Sequence, residues 1–293
     1  MIFDEATIHK LSALTLVARQ MRAGLIKGER RSIKRGASVE FADYRDYSPG
    51  DDLRRLDWNI YARLDRPFIK LLEEEEDLAV HILVDASQSM DWGDGEANKF
   101  HFALRLAAAL GAIALTTGDQ MTLALLTWQP EQLEYGPARS QQHLLPMLAF
   151  LETRVSQGST DLNYSLKNYA MSARRPGLAF LISDLFSPSG FQEGLHLLQG
   201  RGYEFNLLHL LSPDEIDPPL AGDLRLRDIE TGEIQEVTMD GELRSQYRQR
   251  LEAWQVQIQV DCQKHQIRYL PISTAQKWDE LVLLGLRQAG MVK

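Results

Sequence analysis

Three short, almost wholly apolar runs, Leu78–Val84, Met121–Thr127 and Leu178–Ser183, are separated by segments of helical length, and this alternation restricts the fold more than any other feature. A strand that is apolar along its whole length is buried on both faces, as in a parallel sheet covered by helices. Two further runs, Phe205–Leu210 and Ile267–Leu270, read the same way. Helical patterns fill the intervals at about Lys99–Thr116, Gln141–Thr153, Leu162–Arg174, Gly190–Gln199 and Ala275–Gln288, and a short strand near Gln132–Tyr135 makes a hairpin with Met121–Thr127. The expected class is α/β, a doubly wound, mostly parallel sheet of the Rossmann-like kind.

The ends of the chain depart from this rhythm. Ile8, Leu11, Leu14, Ala18, Met21 and Leu25 recur at spacings of three and four, which predicts an amphipathic helix stopping near Gly28. Tyr44-Arg45-Asp46-Tyr47-Ser48-Pro49-Gly50-Asp51-Asp52 is turn chemistry, flanked by extended pieces at Val39–Phe41 and Phe68–Leu72. Residues 1–77 are therefore expected as a helix-plus-strand extension packed on a main domain, 78–293. Within that domain Pro213, Pro218 and Pro219 open an insertion at about 212–240, read as a β-hairpin turning at Thr231-Gly232.

With 44% hydrophobic and 25% charged residues, the 293-residue chain has the composition of a globular protein with one large core. A net charge of −9 argues against general nucleic-acid binding, which needs cations to neutralise phosphates. The basic run Lys27, Arg30, Arg31, Lys34, Arg35 reads as a solvated loop, with contact to an acidic partner as the other reading. Cys262 is the one cysteine, so an intramolecular disulfide and a cysteine-rich metal site are both excluded. No signal-peptide pattern opens the sequence. The apolar stretch Phe102–Leu115 is shorter than the roughly 18 residues of a membrane helix and contains Arg105. A cytoplasmic protein without stable membrane insertion is expected.

In open α/β sheets ligands bind beyond the carboxyl ends of the strands, so those positions are the ones to inspect. Asp85, Ser87 and Ser89 follow the first buried strand at i, i+2 and i+4, a spacing that projects a carboxylate and two hydroxyls to one side of an extended turn. Asp184 directly follows Leu178–Ser183, and Ser156-Gln157-Gly158-Ser159-Thr160-Asp161 presents hydroxyls at a helix start. Oxygen donors without sulfur or imidazole suit Mg²⁺ or Mn²⁺ rather than zinc, and magnesium keeps water positions that an outside carboxylate can take. Each piece alone also reads as a helix cap. Their joint occurrence in order is what favours a site.

Other chemistries lack their residues. There is no phosphate-binding Gly-x-x-x-x-Gly-Lys-Ser/Thr loop, no Gly-x-Ser-x-Gly elbow and no His-Glu-x-x-His. The enzyme alternative is an Mg²⁺-dependent phosphoryl-transfer hydrolase with Asp85 as nucleophile, but a second acid is needed two residues on, where Ser87 stands. His81, inside a buried strand, reads as a satisfied core histidine.

Asp85-x-Ser87-x-Ser89, Thr160 and Asp184 resemble the metal-ion-dependent adhesion motif of von Willebrand A domains. The resemblance implies Asp85, Ser87, Ser89, Thr160 and Asp184 as the metal set, with Ser87 and Ser89 as direct ligands. The stretch Phe41–Asp52 with Arg55-Leu56-Asp57-Trp58 and Ala62-Arg63 resembles the signature of the bacterial domain of unknown function 58 family, and Leu226-Arg227-Asp228-x-Glu230-Thr231-Gly232 is similar to its late hairpin. Membership implies a von Willebrand A-like domain and a protein-binding adaptor paired with a MoxR-type AAA+ ATPase, acting in assembly or maturation of other proteins. One departure stands out: Gly158-Ser159-Thr160 replaces the commoner Gly-Gly-Thr, whereas Leu185 in place of glycine after the last aspartate, in Asp184-Leu185-Phe186, is similar to what is usual for this family. The charges from Arg45 to Arg63 read either as a docking surface for the ATPase or as a hydrogen-bonded clamp.

Overall fold

A computed structural model describes residues 5–18, 39–48, 51–74, 78–127, 133–172, 174–228, 232 and 234–293. The chain divides into two compact units, one of Met1–Ile26 with Leu78–Lys293, the other of Lys27–Asp77.

In the larger unit, strands β3 (Ala79–Asp85), β4 (Gln120–Leu126), β5 (Leu133–Ala138), β6 (Leu178–Ser183), β7 (Glu204–Leu211) and β10 (Arg268–Ser273) form one sheet in the order β10-β7-β6-β3-β4-β5. Every pairing is parallel except the β4–β5 hairpin. The mixed, mostly parallel α/β sheet read from the apolar runs is thus present. From β3 the chain steps to β4 on one side, then returns to place β6 on the other. The direction of strand addition therefore reverses between β3 and β6.

Strand residues alternate between two apolar clusters. Val80, Ile82, Val84, Leu123, Leu125, Phe180 and Ile182 join helices α3 (Lys99–Thr117) and α4 (Leu144–Glu152) in one. Leu83, Ala124, Leu126, Ala179 and Leu181 join α5 (Leu162–Met171), α6 (Gln192–Gly200) and α8 (Gly241–Lys264) in the other. Period-two alternation sends successive side chains to opposite sheet faces, and both faces are covered. Helix α3 is apolar around nearly its whole circumference, starts at the Asn98 cap and ends at Gly118, whose φ of +83° is one glycine adopts without a Cβ clash. Among the described residues it is the one helix long and apolar enough to cross a membrane by length and composition, and 78% of that window is buried inside the protein.

The amino-terminal helix is shorter than its spacing predicts. Helix α1 spans Glu5–Ser12, after which Leu14, Leu16 and Ala18 are buried alternately along extended backbone. Thr15 exchanges hydrogen bonds with Lys293, Val17 donates its amide to Met291 O, and Leu16 bridges Val292. Leu14 and Ala18 fit both a period of four and a period of two; β-branched Thr15 and Val17 and a strand-like partner decide for the second. These residues and α1 group with the larger unit, where Leu11, Leu14, Leu16 and Ala18 join the first apolar cluster. The remainder of the expected helix, 19–28, and the basic run Lys27–Arg35 lie outside the described residues. Helix α8, 24 residues with Leu251, Ile258 and Cys262 as its buried residues, was not resolved from the pattern as a whole helix because so little of it is apolar. The expected hairpin insertion is present as β8 (Gly222–Arg227) paired with β9 (Ile234–Met239), following the short helix α7 (Pro213–Ile216).

In the smaller unit β1 (Val39–Asp46) and β2 (Phe68–Glu74) pair antiparallel, with helix α2 (Trp58–Leu64) between them in sequence. Tyr44–Asp46, expected as turn, extend β1. Asp57 caps α2 by accepting from the amides of Asn59 and Ile60, and it also accepts from the Tyr44 hydroxyl at 3.0 Å. Asp52 accepts from the Arg54 amide, while Asp51 takes the Ser48 amide and an ion pair with Arg45. Several of the signature charges therefore serve as caps and turn-formers within their own unit.

Candidate functional site

The carboxyl ends of β3 and β6 are adjacent in the sheet; Asp85 ends β3, Asp184 directly follows β6, and both carboxylates are buried. Asp85 is held from two directions: Oδ1 accepts from the Ser87 amide at 3.0 Å, and Oδ2 accepts from the Ser183 hydroxyl at 2.6 Å. Burial first, then the negative charge of Asp184, pushes the Asp85 carboxyl up to about 6, against the pull of these hydrogen bonds.

Three loops meet here. Ala86 donates its amide to Leu126 O at the end of β4, the same carbonyl that accepts from Thr160 Oγ1 at 3.4 Å. Gln88 N donates to Gly158 O, and Gln157 N to Ala86 O, which ties the loop bearing Ser87 and Ser89 to the loop bearing Thr160. Ser87 Oγ and Ser89 Oγ lie 2.9 Å apart. The capping alternative fails for these hydroxyls. Ser87 precedes a 3-10 turn at Gln88–Met90 but makes no side-chain cap, and the helix after Thr160 is capped by Asp161, which accepts from the Tyr164 amide at 2.8 Å.

Asp184 adds a feature that the sequence did not reveal. Its Oδ2 lies 2.6 Å from Lys99 Nζ, and Lys99 is 0% exposed. The same ammonium reaches Glu215 Oε1 at 2.5 Å. Asp184 Oδ1 accepts from the Phe186 amide, and the Asp184 carbonyl meets His209 Nε2 at 3.1 Å. His209 Nδ1 faces the Tyr269 hydroxyl at 2.7 Å, and burial lowers this histidine to about 4, so the ring is neutral at pH 7. Leu185 takes a φ of +62°, a left-handed conformation that glycine adopts freely and a leucine adopts at a cost. Its side chain is buried in the second apolar cluster, which holds it there.

The five expected residues are thus carried by three loops interlinked at one end of the sheet, with Asp85 and Asp184 close enough to interact electrostatically. Lys99, Ser183, His209 and Glu215 were missed. Ser212-Pro213-Asp214-Glu215 carries a visible capping-box pattern, and the box forms: Ser212 Oγ accepts from Glu215 N while Glu215 Oε2 accepts from Ser212 N. Nothing in the local pattern marks Lys99, the first residue of an apolar helix, as buried. Among the described residues no three His, Cys, Asp or Glu side chains converge to hold a metal, so any ion here would depend on the serine and threonine hydroxyls.

These features define an α/β protein with an acidic, hydroxyl-lined cluster at the point where strand order reverses. The chain belongs to the family of proteins of unknown function DUF58, whose profile matches residues 43–257. An uncharacterized protein of Mycobacterium tuberculosis is 29% identical over 250 residues, spanning 84% of this chain and 78% of its own. Two solved structures match over much of the chain at lower similarity. BatB of Bacteroides thetaiotaomicron is 13% identical, with a TM-score of 0.42 over 73% of this chain and 98% of that one. An aerotolerance-related membrane protein of Bacteroides fragilis is 15% identical, with a TM-score of 0.44 over 72% and 98%.

Proposed function

We propose that this protein is a metal-dependent protein-binding adaptor built on a doubly wound von Willebrand A-like domain, with Asp85, Ser87, Ser89, Thr160 and Asp184 as its metal-ion-dependent adhesion site. The observation that carries the reading is the Ser87–Ser89 hydroxyl pair, 2.9 Å apart and not used as a helix cap, on the loop that begins at Asp85. The donor set fits Mg²⁺ or Mn²⁺: it is oxygen-only, and burial, with the neighbouring charge of Asp184 second, raises the Asp85 carboxyl, a cost that a cation would offset. Ser87 and Ser89 would hold the ion directly, with Asp85, Asp184 and Thr160 in direct or water-mediated support. A bound ion would offer a partner's carboxylate an anchoring charge.

Nucleophilic catalysis by Asp85 is disfavoured on geometry. Both its oxygens are engaged and the residue is 2% exposed, whereas an attacking carboxylate must reach its substrate. The family resemblance supports a MoxR-type AAA+ ATPase, or a client of one, as the partner. Two experiments test the reading. Calorimetric titration with Mg²⁺ should give saturable heat for the wild type and none for Asp85→Ala; equal binding by both removes the site. Affinity capture of the ATPase from native cells should be lost with chelator and with Asp85→Ala.

A further inference from the structure

We propose that Lys99 is a built-in counter-ion that competes with a divalent cation for Asp184, and that Glu215 sets the strength of this competition by offering Lys99 a second anion. The inference rests on the metal reading of the site and concerns how tightly the ion is held.

An ammonium with 0% exposure is retained in a protein interior where anions compensate its lost hydration. Lys99 has two, at 2.6 Å and 2.5 Å, and the Phe186 ring 5.5 Å away. Its backbone is fixed independently, by donation to Trp92 O at 2.9 Å and by the Asn98 cap that precedes it. Glu215 is anchored without reference to Asp184, because its other oxygen closes the capping box with Ser212 and its carbonyl accepts from the Tyr247 hydroxyl. Lys99 can therefore remain paired with Glu215 when Asp184 turns its charge towards a metal ion. Asp85, Asp184 and Glu215 carry three formal negative charges against the one positive charge of Lys99. One divalent cation would neutralise the remainder. Removing the ammonium raises the negative field at the site, while removing the Glu215 charge leaves Lys99 to Asp184 alone. The two substitutions must change metal affinity in opposite directions.

The test is calorimetric titration of the full chain with Mg²⁺ for wild type, Lys99→Met, Glu215→Gln and Asp85→Ala, with melting temperatures in chelator and in excess Mg²⁺. Lys99→Met should bind Mg²⁺ about tenfold more tightly and show the larger rise in melting temperature on metal addition; Glu215→Gln should bind several-fold more weakly. If Lys99→Met folds poorly without metal, Glu215→Gln decides, since it keeps the Lys99–Asp184 pair and an acceptor for Ser212. Wild-type binding that depends on Asp85 but is unchanged by both substitutions overturns the competition alone. Absence of Mg²⁺ binding in every protein, Lys99→Met included, overturns the metal reading and the competition with it.

Discussion

Ser183 and Asp85 are joined across the β6–β3 border by a 2.6 Å hydrogen bond, with the serine hydroxyl donating to Oδ2. The same hydroxyl accepts from the Leu185 amide at 2.9 Å, so one side chain orients the first carboxylate and also the turn that carries the second. Both carboxylates are thereby directed by neighbouring groups rather than by solvent.

That arrangement has a measurable cost. The Asp85 carboxyl, raised to about 6 by burial and by Asp184, holds its proton more tightly in the folded protein than in the unfolded chain and is ionised at pH 7 at a cost. A raised folded value means that this group's contribution to stability is full below about pH 4 and is lost as the pH rises through about 6. Asp85→Asn removes the ionisation. In chelator at pH 7.5 it should be at least as stable as wild type, by up to about 3 kcal/mol, and should lose any stabilisation by Mg²⁺. Urea unfolding with and without the metal measures both. A destabilised Asp85→Asn in chelator would show that hydrogen-bond geometry, not charge, dominates there.

His81 should act in the opposite sense. Its ring meets the Tyr169 hydroxyl at 2.7 Å through Nδ1 and the Arg175 carbonyl at 3.0 Å through Nε2, and burial lowers it to about 4. The carbonyl requires a proton on Nε2, so Nδ1 accepts from the tyrosine. A lowered folded value means that the neutral ring's stability is full above about pH 6.5 and is lost as the pH falls through about 4, amounting to about 3 kcal/mol over the whole window. His209, also lowered to about 4 by burial, adds a second proton to the same acid limb, against one from Asp85. His81→Gln should flatten the fall in unfolding free energy between pH 6.5 and 4.5; an unchanged slope would place the acid sensitivity elsewhere.

The sheet and the order of the site loops were legible because both depend on local signals. The β3 and β6 runs are short and apolar, and a candidate site carboxylate, Asp85 or Asp184, stands one step beyond each. What was not legible depended on distant partners. Leu14 and Ala18 fit two periods until their pairing with the carboxyl terminus chooses one. Helix α8 hides because three buried residues suffice to dock its 24. Lys99 is fixed by Asp184 and Glu215, 85 and 116 residues away, and no spacing rule spans such separations.

Close packing makes a comparative prediction for two glycines. A Cβ on Gly177, just before β6, would lie 2.0 Å from the backbone oxygen of Ala79, whereas one on Gly111 in α3 would lie 2.4 Å from the sulfur of Met147. Backbone at a sheet border cannot move without disturbing the β3–β6 ladder, but a methionine tip can change rotamer. Gly111→Ala also gains about 1 kcal/mol of helix propensity. Gly177→Ala should therefore cost about 2–3 kcal/mol and Gly111→Ala about 1 kcal/mol or less, by denaturant unfolding. The reverse order would mean that the α3–α4 contact is the stiffer one.

Within the smaller unit, the weight of the polar signature should fall on Asp57 rather than on its more exposed neighbours. Asp57 is 6% exposed and accepts from two amides at the start of α2 and from Tyr44. The Arg45–Asp51 ion pair has a guanidinium side 47% exposed, where solvent screening leaves little net energy. Asp57→Ala should cost about 1–2 kcal/mol in the local stability of α2, seen as faster hydrogen exchange at Asn59 and Ile60. Asp57→Asn should recover much of this, since its amide oxygen can still cap the helix. Arg45→Ala should leave those amides unchanged. Faster exchange in Arg45→Ala, or none in Asp57→Ala, would mean that the surface charges rather than the cap hold this segment in shape.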